Sequence, residues 1–375
     1  MKIAIVTETF LPSTDGIVTR LTASIEHYLE AGHEVIIIAP DLGVAQFGKA
    51  RIHGMPTITL PFYRTKRFSL PSRKVGSLLK TYGPDIVHVV NPALLGAAGV
   101  YYAKKLGIPL LASYHTNLSQ YLDFYGLPFM RGLVWLYLRS LHNRASINLC
   151  TSRTVREELI TRKFRNVKIW KRGVDGRLFH PDRYDPNMRK RLSQGFADKK
   201  ILLYVGRLAS EKEIEKLRDI FNVSNQFVLV IVGDGPHRSA LEEYFSGTDT
   251  LFTGFLYGEE LAAAFASSDV FVFPSTTETL GLVLLEAMAS GLPVVAARSG
   301  PTCEQVKHEK TGLLFDPADH DGFIAAVRRF EDKRARDAMS AAAYQESFGK
   351  GWKEVAEQAL HYYWQTAKKG NNSGS

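Results

Sequence analysis

The sequence predicts an α/β protein with two parallel sheets, each covered by helices on both faces. Short runs rich in Ile, Val and Leu alternate with helix-period segments along all 375 residues. The alternation restarts after Gly173-Val174-Asp175. A chain of this length also exceeds what one compact core organises, so two domains are expected. Strand–helix alternation on this scale is the pattern of parallel sheets, whose strands are buried on both faces.

In order, Lys2–Glu8, Glu34–Ala39, Asp85–Val90, Pro109–His115 and Ile147–Thr151 read as buried strands. Gly16–Ala31, Leu94–Leu106, Ser119–Arg144 and Ser152–Arg162 read as the helices between them. In the second half the strands are Ile201–Gly206, Phe227–Val232, Thr250–Gly254, Val270–Pro274, Pro293–Ala297 and Gly312–Phe315. The boundary falls near residues 173–200, where "HPDRYDPN" and "SQGFADKK" cluster turn formers. The expected division is 1–178 and 179–349, with 370–375 ("GNNSGS" closing the chain) as a flexible tail.

The net charge of +9 is uneven: residues 1–180 hold 24 Lys/Arg against 11 Asp/Glu, and residues 181–375 hold 23 against 27. Within the basic half, Phe62–Lys80 carries Arg64, Lys66, Arg67, Arg73, Lys74 and Lys80 and no acid. Such a run is either a solvated face or a seat for an anionic surface. The N-terminus lacks the h-region of a signal peptide, and no segment reaches the ~20 apolar residues of a membrane span. Cys150 and Cys303 lie in apolar, strand-like surroundings, which fits buried thiols in a reducing cytoplasm.

Ligands of parallel sheets bind at the carboxyl ends of strands, so those loops carry the candidates. The first strand leads into "TETFLPSTDG", which lacks GxGxxG, and no GxxxxGK[ST] occurs, which argues against dinucleotide and P-loop chemistry. Arg207 and Lys212 leave the end of Ile201–Gly206, where a guanidinium fork and an ammonium could converge on an anion. Alternatively, Lys212 opens a solvated helix, "EKEIEKLRD". Gly233 and Gly235 of "VGDGP" permit either close approach to a ligand or a tight turn, and Gly254 ends the next strand.

In "STTETLGLVLLEAMASG", Glu278 precedes a helix expected over Leu280–Ser290, and Glu286 lies within it. That helix is apolar nearly all round, so Glu286 has little solvated face and should be paired or bind a ligand. The N–H groups of Leu280 and Gly281 at the helix start form an expected anion site. Carboxylates accept from hydroxyls, so Glu278 and Glu286 on either side of a diphosphate suit a nucleotide-sugar.

These residues resemble a known signature. Glu278 and Glu286 as E-x7-E, Gly206-Arg207 with Lys212 as GR-x4-K, the VGDGP loop and Asp15-Gly16 together are similar to retaining GT-B glycosyltransferases of family 4. The resemblance implies two Rossmann-like domains facing across a cleft, with a last helix, about 350–368, crossing back onto the first. It further implies that Arg207 and Lys212 hold the diphosphate, Glu286 the ribose and Glu278 the sugar. Gly16 lies against the phosphates and His115 near the anomeric centre. By the same resemblance the enzyme needs no cofactor or metal, reacts on one face of the sugar, and uses the leaving phosphate to help deprotonate the acceptor. Asp319-His320-Asp321 spells a metal motif of the other glycosyltransferase fold, but its position predicts a helix cap.

Longer stretches, "TETFLPSTDGIVTRL", "VVNPALLGAAGVYYAKKLGIPLLASYHTNLSQYL" and "VGDGPHRSAL", resemble the sulfolipid synthases. That implies transfer from UDP-sulfoquinovose to diacylglycerol, with related glycolipid synthases using UDP-glucose or GDP-mannose as the alternative. Pro301 departs from the family's S-G-G pattern. A diacylglycerol acceptor implies an enzyme peripheral on the cytoplasmic face of an anionic membrane, and gives the Phe62–Lys80 run and "LPFMRGLVWLYLRSLHNR" a use. The second segment also reads as an ordinary amphipathic core helix. Arg20 and Arg298 are further candidates for a sulfonate. A sugar-nucleotide epimerase would share the fold but not need the basic face. A nucleic-acid binder would account for the charge but not for Glu278 and Glu286, so no nucleic acid is expected.

Overall fold

A computed structural model describes residues 1–60, 63–115 and 128–372, with backbone alone for 60, 63–66, 128, 320 and 369–372. The chain divides into two compact units, Met1–Arg172 with Trp352–Ser375, and Gly173–Gly351.

The first unit holds β1 (Lys2–Thr7), β2 (Glu34–Pro40), β3 (Gln46–Phe47), β4 (Ala50–Met55), β5 (Ile58–Leu60), β6 (Tyr63–Phe68), β7 (Ile86–Val90), β8 (Leu110–Tyr114), β9 (Ile147–Cys150) and β10 (Val167–Ile169). Eight of these form one sheet in the order β10-β9-β8-β7-β1-β2-β4-β3, and β5-β6 pair separately. All pairings in the large sheet are parallel except β3 with β4. The chain leaves β1 toward β2 and later returns to β7 on β1's other side, so the switch point lies between β1 and β7, where such folds bind ligands.

The second unit holds β11 (Lys200–Val205), β12 (Phe227–Val232), β13 (Thr250–Gly254), β14 (Val270–Phe273), β15 (Val294–Ala297) and β16 (Gly312–Phe315), in the order β13-β12-β11-β14-β15-β16, all parallel. Its switch point lies between β11 and β14. The central strands are fully buried on both faces, as their apolar composition requires. The helix Trp352–Asn372 inserts Val355, Ala356, Ala359 and Tyr363 into the first unit's core. Trp170 Nε1 donates to the Val355 carbonyl at 3.0 Å there.

Several expectations are corrected. β3 to β6 and β10 were not foreseen, being short or polar. The "EKEIEKLRD" segment is 3-10 helix over Ile214–Asn222, set off by Glu213 in the left-handed region at φ 54°. Cys303 is exposed on the helix Gly300–Gln305, and only Cys150 is buried. Asp319 caps the helix His320–Arg328, accepting the Gly322 N–H at 3.0 Å, as its position predicts. Pro301 sits in the first turn of Gly300–Gln305, where its missing N–H costs nothing. Among the described residues, no helix is long and apolar enough to cross a membrane.

Candidate active site

The second unit gathers its candidates at the switch point. Gly206 and Arg207 follow β11, Lys212 closes a 3-10 turn over Ser210–Lys212, and Glu278 lies in the loop after β14. The two loops are stitched together. Thr276 Oγ1 donates to Glu213 Oε2 at 2.9 Å, Thr277 Oγ1 to the Glu211 carbonyl at 3.1 Å, and Lys212 Nζ to Glu278 Oε2 at 3.1 Å. Arg207 pairs with the buried Glu211. Thr276, Thr277, Glu211 and Glu213 were not anticipated, because their partners lie more than sixty residues away.

The expected helix start moves. The helix runs Leu282–Ala289 with Gly281 as N-cap in the left-handed region at φ 62°, a conformation glycine adopts without strain. The N–H groups of Thr279, Leu280 and Gly281 all donate to Glu278 Oε1 at 3.1 Å. The expected anion site at Leu280 and Gly281 is thus taken by the chain's own carboxylate, an anion at a helix N-terminus as electrostatics favours. Burial acts to raise the Glu278 pKa, but the Lys212 ammonium and these N–H groups overcome it and hold the carboxyl down at about 2.

Glu286 lies on the same helix, half-buried among apolar neighbours. Its carboxyl has no hydrogen-bond or ion-pair partner among the described residues, and burial pushes it up to about 7. Eight residues apart, the two acids are driven in opposite directions.

Gly233 and Gly235 answer to the backbone. A Cβ on Gly233 would meet the Gly206 carbonyl oxygen at 2.0 Å, and one on Gly235 the Leu208 carbonyl oxygen at 2.2 Å. The Gly233 N–H donates to the Gly254 carbonyl at 2.8 Å, which joins the loops after β12 and β13. Both glycines therefore let these loops pack against the Arg207 loop.

In the first unit, Asp15 caps the helix Gly16–Glu30, accepting from Ile17 and Val18 at 3.1 Å, and Gly16 opens that helix after β1. Glu8 is buried and accepts the N–H groups of Ala93, Leu94, Leu95 and Gly96 at 2.8–3.1 Å, clamping the loop after β7 across the switch point. His115 follows β8, with Nε2 2.9 Å from Ser113 Oγ, and burial holds its pKa well below the ordinary histidine value. Arg20 is fully buried, donates to the Lys171 carbonyl at 2.8 Å and stacks 4.6 Å from the Trp170 ring, so it is corrected from candidate sulfonate partner to core residue.

Elsewhere in that unit, Arg67, Arg73 and Lys74 are exposed, on β6 and on the helix Arg73–Tyr82 that Ser72 caps. Arg64 and Lys66 lie on β6, but their side chains fall outside the described residues, as does Phe62. The helix Arg131–His142 buries Trp135, Leu138 and Leu141 yet exposes Leu133 and Leu136, with Phe129 79% exposed just before it. It is both a core helix and an apolar outer face. Beside it, Trp135, Leu136, Arg139 and Arg162 line an open pocket of about 530 Å³. The Ser119–Leu127 part of the helix expected over Ser119–Arg144 lies outside the described residues.

Two parallel Rossmann-like sheets, with cations and carboxylates at the second switch point, define the GT-B class of glycosyltransferases. Family comparison agrees: the model "Glycosyltransferase Family 4" matches residues 14–177 and "Glycosyl transferases group 1" matches residues 188–346. The chain is 34% identical over 369 residues to Sulfoquinovosyl transferase SQD2 of Arabidopsis thaliana, covering 94% of this chain and 72% of that protein. It is 35% identical over 370 residues to a GDP-mannose-dependent alpha-mannosyltransferase of Mycobacterium tuberculosis, covering 97% and 96%. Sucrose-phosphate synthase from Thermosynechococcus elongatus shares the fold with a TM-score of 0.77 at 22% identity, over 97% of this chain and 98% of that one. The chain belongs to glycosyltransferase family 4.

Proposed function

We propose that the protein transfers sulfoquinovose from UDP-sulfoquinovose to diacylglycerol, with retention and without metal or cofactor, while peripheral on the cytoplasmic face of an anionic membrane. The observation that carries the donor reading is the meeting of Arg207, Lys212 and Glu278 at the second switch point, with Glu286, which has no partner among the described residues, on the adjoining helix. The two cations match a diphosphate. Glu286 supplies an acceptor for ribose hydroxyls and Glu278 one for sugar hydroxyls, while Gly233 and Gly254 keep the neighbouring loops low enough for a nucleotide to approach.

A phosphate and the Glu278 carboxylate compete for the same N–H groups of Leu280 and Gly281. Donor binding in this reading turns Glu278 from those donors toward the sugar and frees Lys212 for phosphate. The new bond from the acceptor oxygen to the anomeric carbon forms as the bond to UDP breaks, on the same face, and the leaving phosphate takes the acceptor proton. His115, held neutral by burial, orients the reacting groups rather than acting as a strong base.

Sulfoquinovose and diacylglycerol are supported by the resemblance to sulfolipid synthases and the 34% identity to a sulfoquinovosyl transferase. The exposed cations Arg67, Arg73 and Lys74, with the apolar face of Phe129, Leu133 and Leu136, support an acceptor held in anionic lipid. The second reading, a mannosyltransferase using GDP-mannose, is favoured by 35% identity across nearly the whole chain. Diacylglycerol offered with UDP-sulfoquinovose, UDP-glucose and GDP-mannose in parallel, products read by mass spectrometry, tests the choice. The expected product is sulfoquinovosyldiacylglycerol, unaffected by EDTA and α-linked by NMR. Equal or better transfer of glucose or mannose overturns the sulfolipid reading.

A further inference from the structure

Two short runs of the second unit meet across three links. Glu211, Lys212 and Glu213 follow one another after β11, and Thr276, Thr277 and Glu278 follow one another after β14. Thr276 Oγ1 donates to Glu213 Oε2 at 2.9 Å, Thr277 Oγ1 to the Glu211 carbonyl at 3.1 Å, and Lys212 Nζ to Glu278 Oε2 at 3.1 Å. The Lys212–Glu278 ion pair is therefore accompanied by two further cross-links, one through each chain neighbour of Lys212.

Glu213 holds its place against a steric cost. Its backbone stands at φ 54° and ψ 35°, in the left-handed region, where a Cβ crowds the following carbonyl. That conformation separates the 3-10 turn Ser210–Lys212 from the 3-10 helix Ile214–Asn222, whose Ile214, Leu217 and Ile220 are buried. The Glu213 N–H donates to the Ser210 carbonyl at 3.1 Å, and the Lys216 N–H to the Glu213 carbonyl at 3.2 Å. A glycine would take this conformation without strain, so what the glutamate adds is its carboxylate. Both carboxylate oxygens are engaged, Oε2 by Thr276 and Oε1 by Lys216 Nζ at 2.6 Å. Strained residues persist where their surroundings over-determine them, and they gather at functional sites.

We infer that Glu213 and Thr276 are positioning residues, whose hydrogen bond holds the Lys212 turn against the Glu278 loop and keeps Lys212 aimed at the donor phosphates. The inference rests on the donor site given in the proposed function, and deepens it. In that reading donor binding breaks the Lys212–Glu278 pair, as Glu278 turns to the sugar and Lys212 to phosphate. The Thr276–Glu213 and Thr277–Glu211 links involve neither of those side chains and persist. Of the two, Thr276–Glu213 joins side chain to side chain, and Lys216 fixes the accepting carboxylate from its other oxygen. A lysine on a flexible four-carbon stem loses rotamer freedom when it binds phosphate, and a turn fixed beforehand lowers that cost.

Calorimetric titration with UDP, thermal melting and carboxyl 13C NMR on the full-length protein separate the side chain from the backbone. Glu213→Ala and Glu213→Gly both remove the carboxylate, but only the glycine relieves the left-handed backbone. Both are expected to weaken UDP binding about tenfold, although Glu213→Gly melts above Glu213→Ala. In both, the Glu278 midpoint rises from about 2 as Lys212 drifts away from it. Glu213→Gln, whose amide oxygen still accepts from Thr276, keeps affinity and midpoint near the wild type. Thr276→Val matches Glu213→Ala, and the double variant binds UDP no worse than either alone, as one shared link requires. UDP affinity that follows the melting temperature, with Glu213→Gly binding like the wild type, overturns the inference, and so does an unmoved Glu278 midpoint. If Lys212→Ala leaves UDP binding intact, the donor reading falls instead, and the Glu278 midpoint alone decides whether Glu213 positions Lys212.

Discussion

Lys212 Nζ lies 3.1 Å from Glu278 Oε2, while Glu278 Oε1 receives three successive backbone N–H groups. The pair latches the loop after β11 to the loop after β14, and each partner holds what a nucleotide-sugar would use. Lys212→Ala is expected to weaken UDP binding by about 10–100-fold, the worth of one charge-assisted contact to phosphate. The three N–H groups still hold Glu278, so the melting temperature should move little. Calorimetric titration with UDP checks it, and unchanged affinity would remove Lys212 from the donor site.

Glu278 and Glu286 should titrate far apart. Carboxyl 13C NMR is expected to place one midpoint near 2 and the other near 7, against an ordinary 4.5. The signs for stability are opposite. Glu278, depressed in the fold, contributes stability above pH 4.5 that is lost as pH falls toward 2. Glu286, raised in the fold, contributes stability below pH 4.5 that is lost as pH rises through 7. Glu286→Gln should therefore melt above the wild type at pH 8, with the difference vanishing below pH 4.5. A difference independent of pH would mean Glu286 is not desolvated as its surroundings imply.

The glycines of the VGDGP loop should differ sharply from Gly254. Gly233→Ala drives a methyl to 2.0 Å from a carbonyl oxygen at φ 132°, and is expected to cost about 3 kcal/mol or more. Gly254→Ala meets only the flexible end of Arg238, at 3.4 Å, and is expected to cost about 1 kcal/mol for its left-handed backbone. Urea unfolding separates the two, and a Gly233→Ala protein as stable as the wild type would contradict the close packing of these loops.

Arg67, Arg73 and Lys74 give a membrane prediction. At about 1 kcal/mol per cation near an anionic surface, replacing all three by serine should weaken binding to phosphatidylserine vesicles roughly 100-fold at low salt. Neutral vesicles should bind both proteins equally, and added salt should narrow the gap. Flotation that fails to distinguish the triple variant on anionic vesicles would assign these cations to a merely solvated face.

Much of the architecture was legible because it is local. Runs such as Phe227–Val232 and Val270–Phe273 read as buried strands by their length and β-branched or aromatic content, and Asp319 before His320-Asp321-Gly322 is a cap by residue type and position. The E-x7-E spacing likewise located Glu278 and Glu286 around one helix start. Side-chain state was not legible, because it depends on partners that the topology brings from far away. Lys212 meets Glu278 across 66 residues, and that pairing ties the loop after β11 to the loop after β14. For Gly233 and Gly235, read as permitting either close approach to a ligand or a tight turn, the carbonyls of Gly206 and Leu208 leave no room for a Cβ. Ser113 and His88 join His115 to Tyr363 only once β7, β8 and the last helix are packed. Local propensity and apolar period act over a few residues and so write the strands and caps into the sequence. Desolvation and hydrogen-bond partnering act through space, so only the tertiary structure decides which acid is charged and which histidine is buried.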